Sequence, residues 1–135
     1  MTNEADRRSL GLVEAMRPFT AEPAPGAIPV EEWAVIETSL GDLTVRFWAE
    51  AAPRTVANFK KLCAQGFYDG TCFHRVVKGF VVQGGDPLTR DPSASDRWGT
   101  GGPGYTIAAE FNDRPHRAGV LSMARSSEPD SAGSQ

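Results

Sequence analysis

The stretch from Phe67 to Asp86, FYDGTCFHRVVKGFVVQGGD, limits the possible folds more than any other part of the chain. Two short apolar runs, Cys72–Val77 and Phe80–Gln83, are separated only by Lys78-Gly79. Runs this short, rich in Val and Phe and broken by a glycine-containing pair, predict two strands joined by a tight turn. On a strand, neighbouring side chains face opposite sides, so one of His74 and Arg75 can point inward while the other faces a surface groove. Phe80 and Val82 share one face of a regular second strand, and Val81 and Gln83 share the other. A slot lined by both Phe80 and Gln83 therefore needs a bend or bulge, which the neighbouring glycines permit.

The rest of the chain is organised around that hairpin. Trp33 to Thr38 alternates in the manner of a strand, Ser39-Leu40-Gly41-Asp42 supplies a turn, and Leu43 to Phe47 alternates again. Residues 33–48 thus read as a second hairpin. Pro53 suits the first position of a helix, where its missing N–H needs no partner. Val56, Phe59, Leu62 and Cys63 follow at helical spacing, and Gly66 is a stop signal. Tyr105–Phe111 is expected to be a short extended segment and Gly119–Ala124 a further strand. Between these lies DPLTRDPSASDRWGTGGPG, a long loop of the kind that is usually functional or disordered. At the N-terminus, Leu12, Val13 and Met16 fall at helical spacing, so residues 1–17 are expected to form a short amphipathic helix. Pro18, Pro23, Pro25 and Pro29 then mark an extended linker. The domain reading is an N-terminal extension and Pro-rich linker over 1–31 and one folded domain over 32–135. Several short strands, one clear helix and long loops point to a β-barrel or α+β fold.

Composition narrows the function. A chain of 135 residues fits one domain, and a net charge of −3 gives no basic surface for nucleic acid. No apolar run approaches the ~20 residues that span a bilayer. The charged opening MTNEADRRSLGLVEAM lacks the apolar core of a secretory signal. A cytoplasmic location and no membrane partner are the expectation. Cys63 and Cys72 lack CxxC spacing and read as two reduced thiols.

Arg75 carries the chemistry. Its guanidinium stays charged and presents several N–H groups in a rigid planar fork. Phe80 offers a flat apolar wall for a proline ring, and Gln83 can donate and accept, so it can orient a backbone carbonyl and Arg75 together. A fixed donor beside an apolar slot is consistent with X-Pro rotation, the reaction that a family resemblance in these same residues implies and one in which no bond is made or broken. Its barrier, ~18–20 kcal/mol, comes from amide resonance. In the twisted state the prolyl nitrogen becomes basic, and a donor aimed at that nitrogen or the adjacent carbonyl helps only then. Such a reaction needs no cofactor and no metal.

Phe73-His74-Arg75-Val76-Val77, then Phe80, then Gln83-Gly84-Gly85-Asp86 resembles the signature of the cyclophilins, the cyclosporin-binding peptidyl-prolyl cis-trans isomerases. TSLGDLTVRFWAEAAPRTVANFKKLCAQGFYDG is similar to the family's opening hairpin and first helix, and GTGGPGYTIAAEFND to the long loop flanking its pocket. GVLSMARSSEPDSAGSQ resembles the next strand and loop, especially in bacterial members. The resemblance covers roughly residues 33–135. It implies a mainly β fold, an eight-stranded antiparallel barrel capped by two helices, with about five strands and one capping helix covered here. It implies Arg75 as the catalytic residue and Phe80, Val81 and Gln83 as pocket residues. Val81 stands where many members carry methionine, keeping an apolar wall with less length and polarizability. Ala124, Arg125 and Ser126 match the segment that binds the residue preceding proline through backbone groups, with Arg125 replacing a common asparagine. Gly101 and Gly102 match the loop lining the neighbouring subsite, and Gln135 the glutamine before a pair of family phenylalanines.

The family pattern continues past Gln135, through that pair, a pocket tryptophan and histidine, and the second helix. The expectation is that the sequence is a fragment of an ordinary member. The implied function is acceleration of X-Pro rotation in protein folding. Partners would be proline-containing peptides and unfolded or partly folded proteins, with a cyclosporin-type inhibitor in the same groove. A catalytically weak proline-binding or chaperone-like module and an inactive truncated product are the alternatives.

Other motifs carry less. Gly99-Thr100-Gly101-Gly102-Pro103-Gly104 matches GxGxxG, but a dinucleotide site needs a strand before it and a helix after it. His74 reads as a structural, hydrogen-bonded histidine, and Trp98 as a cover for the long loop. Ser122, Ser126 and Ser127 have no adjacent base in the sequence, so hydrolase chemistry is unsupported.

Overall fold

Alternation in Trp33–Thr38 builds the first sheet. In the computed structural model, which describes residues 13–19 and 32–135, this segment is a strand whose Ala34 and Ile36 are buried. We label the elements in chain order: β1 is Val13–Phe19, β2 is Trp33–Thr38 and β3 is Gly41–Arg46. The expected hairpin forms between β2 and β3, with Ile36 opposite Leu43 and Thr38 opposite Gly41. Thr38 closes its turn: the Oγ1 hydroxyl donates to the Gly41 carbonyl at 2.6 Å and accepts from the Leu40 N–H at 3.2 Å.

β1 corrects the sequence reading. Residues 13–17 are not helical; they lie in a strand that pairs antiparallel with β2, Met16 opposite Ile36 and Phe19 opposite Trp33. The physical reason is cooperative. An isolated short helix is marginal in water, whereas pairing with β2 supplies ladder hydrogen bonds and buries Met16 in the core. Pro18, read as the start of the linker, falls inside β1 opposite Ala34. Among the described residues the sheet order β1-β2-β3 leaves β1 at an edge, where a missing N–H is tolerated. The rest of the expected helix and linker lies outside the described residues.

The helix α1, Pro53–Ala64, forms as the spacing predicts, with Pro53 at its start. Its Ala52 cap offers no side-chain acceptor. Glu110 supplies one from far along the chain, accepting from the N–H groups of Arg54 at 2.9 Å and Thr55 at 2.8 Å and from the Thr55 hydroxyl. The C-terminus closes with the Phe67 N–H on the Leu62 carbonyl and the Gly66 N–H on that of Cys63, both at 3.0 Å. This paired closure requires a left-handed residue, and Gly66 takes φ +65°. One face of α1 contributes Leu62 and Cys63 to a core shared with Met16, Ile36 and Tyr68, around which Val45, Phe59, Phe67 and Phe73 pack. Phe59 and Tyr68 stack with ring centres 5.4 Å apart.

A second sheet holds β4, Arg75–Val77, and β5, Val81–Gln83, each shorter than its apolar run. Beyond it the chain runs through 3-10 turns at Pro87–Arg90, Pro92–Arg97 and Pro129–Ser131. Among the described residues the strands form two separate antiparallel sheets, not a closed barrel. Tyr105–Phe111 makes a single bridge, Ile107 to Ala132. Gly119–Ala124, expected as a strand, is not one. A strand needs a ladder partner; here the contacts are a turn bond from the Val120 N–H to Arg117 and one from the Ala124 N–H to the Gln135 carbonyl at 2.9 Å.

Candidate functional site

The β4–β5 hairpin sets the site because its register is unbroken. Arg75 stands opposite Gln83, Val76 opposite Val82 and Val77 opposite Val81. The His74 N–H extends the ladder to the Gln83 carbonyl at 3.0 Å. No bulge interrupts the pairing; the bend lies in the turn instead, where the Phe80 N–H donates to the Val77 carbonyl at 3.0 Å. Phe80 thereby sits outside β5 and escapes its alternation. It is 79% exposed, a large apolar ring presented to solvent, and Val76 and Val82 on the same hairpin are exposed too. Val81 is half-buried.

Arg75 is exposed, and its Nη1 donates to Gln83 Oε1 at 3.3 Å. Gln83 Nε2 donates in turn to Gln135 Oε1 at 2.9 Å. Gln135 Nε2 donates to the carbonyls of Gly99 at 3.1 Å and Gly101 at 2.6 Å. Four of the expected site residues, Arg75, Gln83, Gln135 and Gly101, are therefore joined by side-chain hydrogen bonds. Beside them Gly102 faces open space where a side chain would stand.

The segment expected to hold the residue before proline lies alongside, through the bond from Ala124 to Gln135. Ser126 is drawn into a local turn: its N–H donates to Ser131 Oγ at 2.8 Å and its hydroxyl makes a 2.9 Å bond to the same oxygen. The backbone donors of Ala124 and Ser126 are thus committed within the chain. The Arg125 guanidinium lies 5.4 Å from the centre of the Phe111 ring and donates to the Ser126 carbonyl at 2.9 Å. Neither Arg125 nor Phe80 belongs to the amide relay.

Three residues behind the site were given no supporting role from sequence, although Asp86 closes the family signature. Asp86 is fully buried; its Oδ1 accepts the Leu88 N–H at 2.8 Å and its Oδ2 the N–H groups of Gly99 at 2.5 Å and Gly101 at 3.1 Å. The Asp-Pro pair at 86–87 signals the first of these bonds, since aspartate before proline caps a helical turn. Nothing in the sequence signals the other two. Asn58, buried on α1, donates to the Gly133 carbonyl at 2.8 Å and accepts the Tyr105 hydroxyl at 2.6 Å. Ser134 Oγ donates to the Gly85 carbonyl at 2.7 Å. The Asn58 and Ser134 bonds tie the 133–134 stretch to α1 and to the chain just after β5.

His74 departs from expectation. Both ring nitrogens are buried, and neither has a hydrogen-bond partner of good geometry. Burial pushes its pKa below the ordinary imidazole value; the Asp86 carboxylate and the Cys72 main chain oppose this without reversing it. Trp98 does cover the long loop, its indole N–H reaching the carbonyls of Leu88 at 3.1 Å and Asp91 at 3.2 Å. The glycine run 99–104 lies in irregular chain after a 3-10 turn, without the flanking strand and helix of a dinucleotide site. The sequence reading gave the serines no base, but His116 Nε2 stands 3.3 Å from Ser122 Oγ. That pair is exposed. Cys63 and Cys72 are buried free thiols. Among the described residues no group of three or more His, Cys, Asp or Glu is placed to hold a metal ion.

The exposed Arg75 guanidinium, oriented by the Gln83 amide, lies on a hairpin whose turn presents the Phe80 ring to solvent, features of the class of sites that polarise a peptide group. The comparisons give that class its family. Residues 33–135 match the model of the cyclophilin type peptidyl-prolyl cis-trans isomerase/CLD family, and the chain belongs to it. It is 53% identical over 91 residues to a peptidyl-prolyl cis-trans isomerase of Synechococcus elongatus, covering 67% of this chain and 57% of that protein. It is 54% identical over 90 residues to peptidyl-prolyl cis-trans isomerase B of Bacillus subtilis, covering 65% and 57%. To the human peptidyl-prolyl cis-trans isomerase-like 1 it is 38% identical over 120 residues, covering 81% and 66%. The chain thus spans 57% of the length of the two bacterial relatives.

Proposed function

We propose that the protein accelerates cis-trans rotation about X-Pro bonds in peptides and in unfolded or partly folded proteins. The observation that carries this reading is the Arg75–Gln83 pair on β4–β5, within a segment that belongs to an isomerase family. Support comes also from the isomerase names of the bacterial relatives.

In the proposed reaction the proline ring rests on Phe80 and Val81, and the groups near Gly101, Gly102 and Gln135 hold the preceding chain. Arg125 and the backbone around Ala124 and Ser126 flank the residue before proline. As the amide twists, resonance is lost and the prolyl nitrogen gains a lone pair. The Arg75 fork donates to that nitrogen or to the neighbouring carbonyl, an interaction stronger in the twisted state than in either planar isomer. A ~10⁵-fold acceleration needs about 7 kcal/mol, within reach of a preorganised charged donor plus orientation. The step transfers no atoms, so the chain's own side chains suffice.

In this reading the sheets belong to an eight-stranded barrel with the groove on its outer face. A cyclosporin-type inhibitor would compete for that groove, and the protein would act in the cytoplasm. The test is proline isomerisation in a short peptide with the full-length protein. Acceleration above the spontaneous rate that is lost in Arg75→Ala supports the reading. Peptide binding without acceleration replaces the enzyme with a proline-binding module.

A further inference from the structure

We propose that Asp86 is a positioning residue for Arg75, acting through the Gly99–Gly101 loop, Gln135 and Gln83. The inference deepens the isomerase reading and rests on it. The argument begins with direction. A primary amide has one end that donates and one that accepts, and the two look alike in shape. In the relay behind Arg75, one end has a fixed sense: the carbonyls of Gly99 and Gly101 can only accept. The Gln135 amide must therefore turn its NH2 group toward them, which turns its Oε1 toward Gln83. Gln83 must then present its own NH2 group to Gln135 and its Oε1 to Arg75. A guanidinium can only donate, so the relay is consistent at both ends.

The sense of the relay thus depends on where two backbone carbonyls stand, and Asp86 sets their place. One carboxylate oxygen accepts the N–H groups of the same two glycines, Gly99 and Gly101, while the other accepts from Leu88. The carboxylate is fully buried, and these N–H groups compensate its loss of water. Gly101 approaches it closely: a Cβ there would stand 2.1 Å from Asp86 Oδ1. An arginine held by an acceptor points its remaining N–H groups in a defined direction. Were Gln83 to reverse, its NH2 group would face the guanidinium and release it.

The experiment measures isomerisation of a proline peptide by exchange NMR in the full-length wild type, Asp86→Asn, Arg75→Ala and the double variant, each checked for a cooperative melt. Asparagine keeps the shape but replaces one acceptor oxygen with a donor. The expected result is a loss of about tenfold in kcat for Asp86→Asn with KM nearly unchanged, as large as losing the Gln83 acceptor and below the ~10²-fold that an angstrom-sized misplacement can cost. In the Arg75→Ala background the same change costs nothing further, because residues that act as one unit are non-additive. An equal loss in both backgrounds, or no loss in either, overturns the proposal. Should Asp86→Asn fail to fold, Gly101→Ala displaces the loop from the carboxylate and must show the same pattern. The Arg75 Nε–H signal supplies a readout free of activity: it must shift or broaden in Asp86→Asn or Gly101→Ala, and an unchanged signal overturns the proposal. A wild type without acceleration would sink the isomerase reading, and that signal alone would then decide the positioning claim.

Discussion

Arg75 and Gln83 face each other across the β4–β5 ladder, and the guanidinium donates to the amide oxygen at 3.3 Å. The register makes this contact, because opposite residues on paired strands share a face. Replacing Gln83 with Leu keeps the volume and removes the acceptor. Isomerisation by Gln83→Leu should fall about tenfold, less than the 10²–10³-fold expected for losing a transition-state donor in Arg75→Ala. Steady-state rates on one peptide check the order. A Gln83→Leu rate equal to wild type would mean that Arg75 needs no orienting acceptor.

Glu110 caps α1 from across the fold. Burial raises its pKa, but the N–H groups of Thr55 and Arg54 and the Thr55 hydroxyl outweigh this and hold it below the ordinary carboxylate value. A lowered pKa means that the cap's contribution is full above the unfolded value near ~4.3. It is lost as pH falls through the folded value. Glu110→Gln should cost about 1 kcal/mol at neutral pH and lose less stability than wild type on acidification below pH ~4.3. Urea melts across that range check both.

Burial lowers the His74 pKa in the fold, favouring the neutral ring. The unfolded chain takes up a proton near pH ~6.5, so stability is full above that pH and declines as pH falls toward the folded value. His74→Phe fills the site without unpaired ring nitrogens. The variant should match or exceed wild type at pH 7.5 and show a flatter stability profile between pH ~6.5 and 5. A profile as steep as wild type's would show that another group titrates there.

Cys63 is held as a thiol. Burial, and then the Asp69 charge, push its pKa up to about 12. The thiolate is the reactive form, so Cys63 should resist a thiol reagent at pH 8 in the native protein and react fully in urea. Mass spectrometry of the labelled peptides measures each site. Rapid native labelling of Cys63 would contradict its buried place beside Leu62 and Tyr68.

The sequence disclosed the elements whose signals are local. The 33–48 hairpin, the proline start and glycine stop of α1 and the β4–β5 turn depend on residues within a few positions of one another. Elements that depend on distant partners were misread. Val13–Phe19 carries helical spacing yet becomes a strand, because β2 offers an edge whose pairing buries Met16. Gly119–Ala124 has strand composition but lacks a ladder partner among the described residues. At the site, Arg75, Gln83 and Gln135 were legible as residues, while their order in a relay was not. That order depends on Asp86 reaching residues 13 and 15 positions onward, a separation with no periodic trace.

The most direct measurement is the exchange rate of an X-Pro bond in a bound peptide, read by NMR for wild type and Arg75→Ala at matched occupancy. The account predicts that Arg75→Ala still binds the peptide but exchanges it at least 10²-fold more slowly. Equal exchange rates in the two proteins would contradict it.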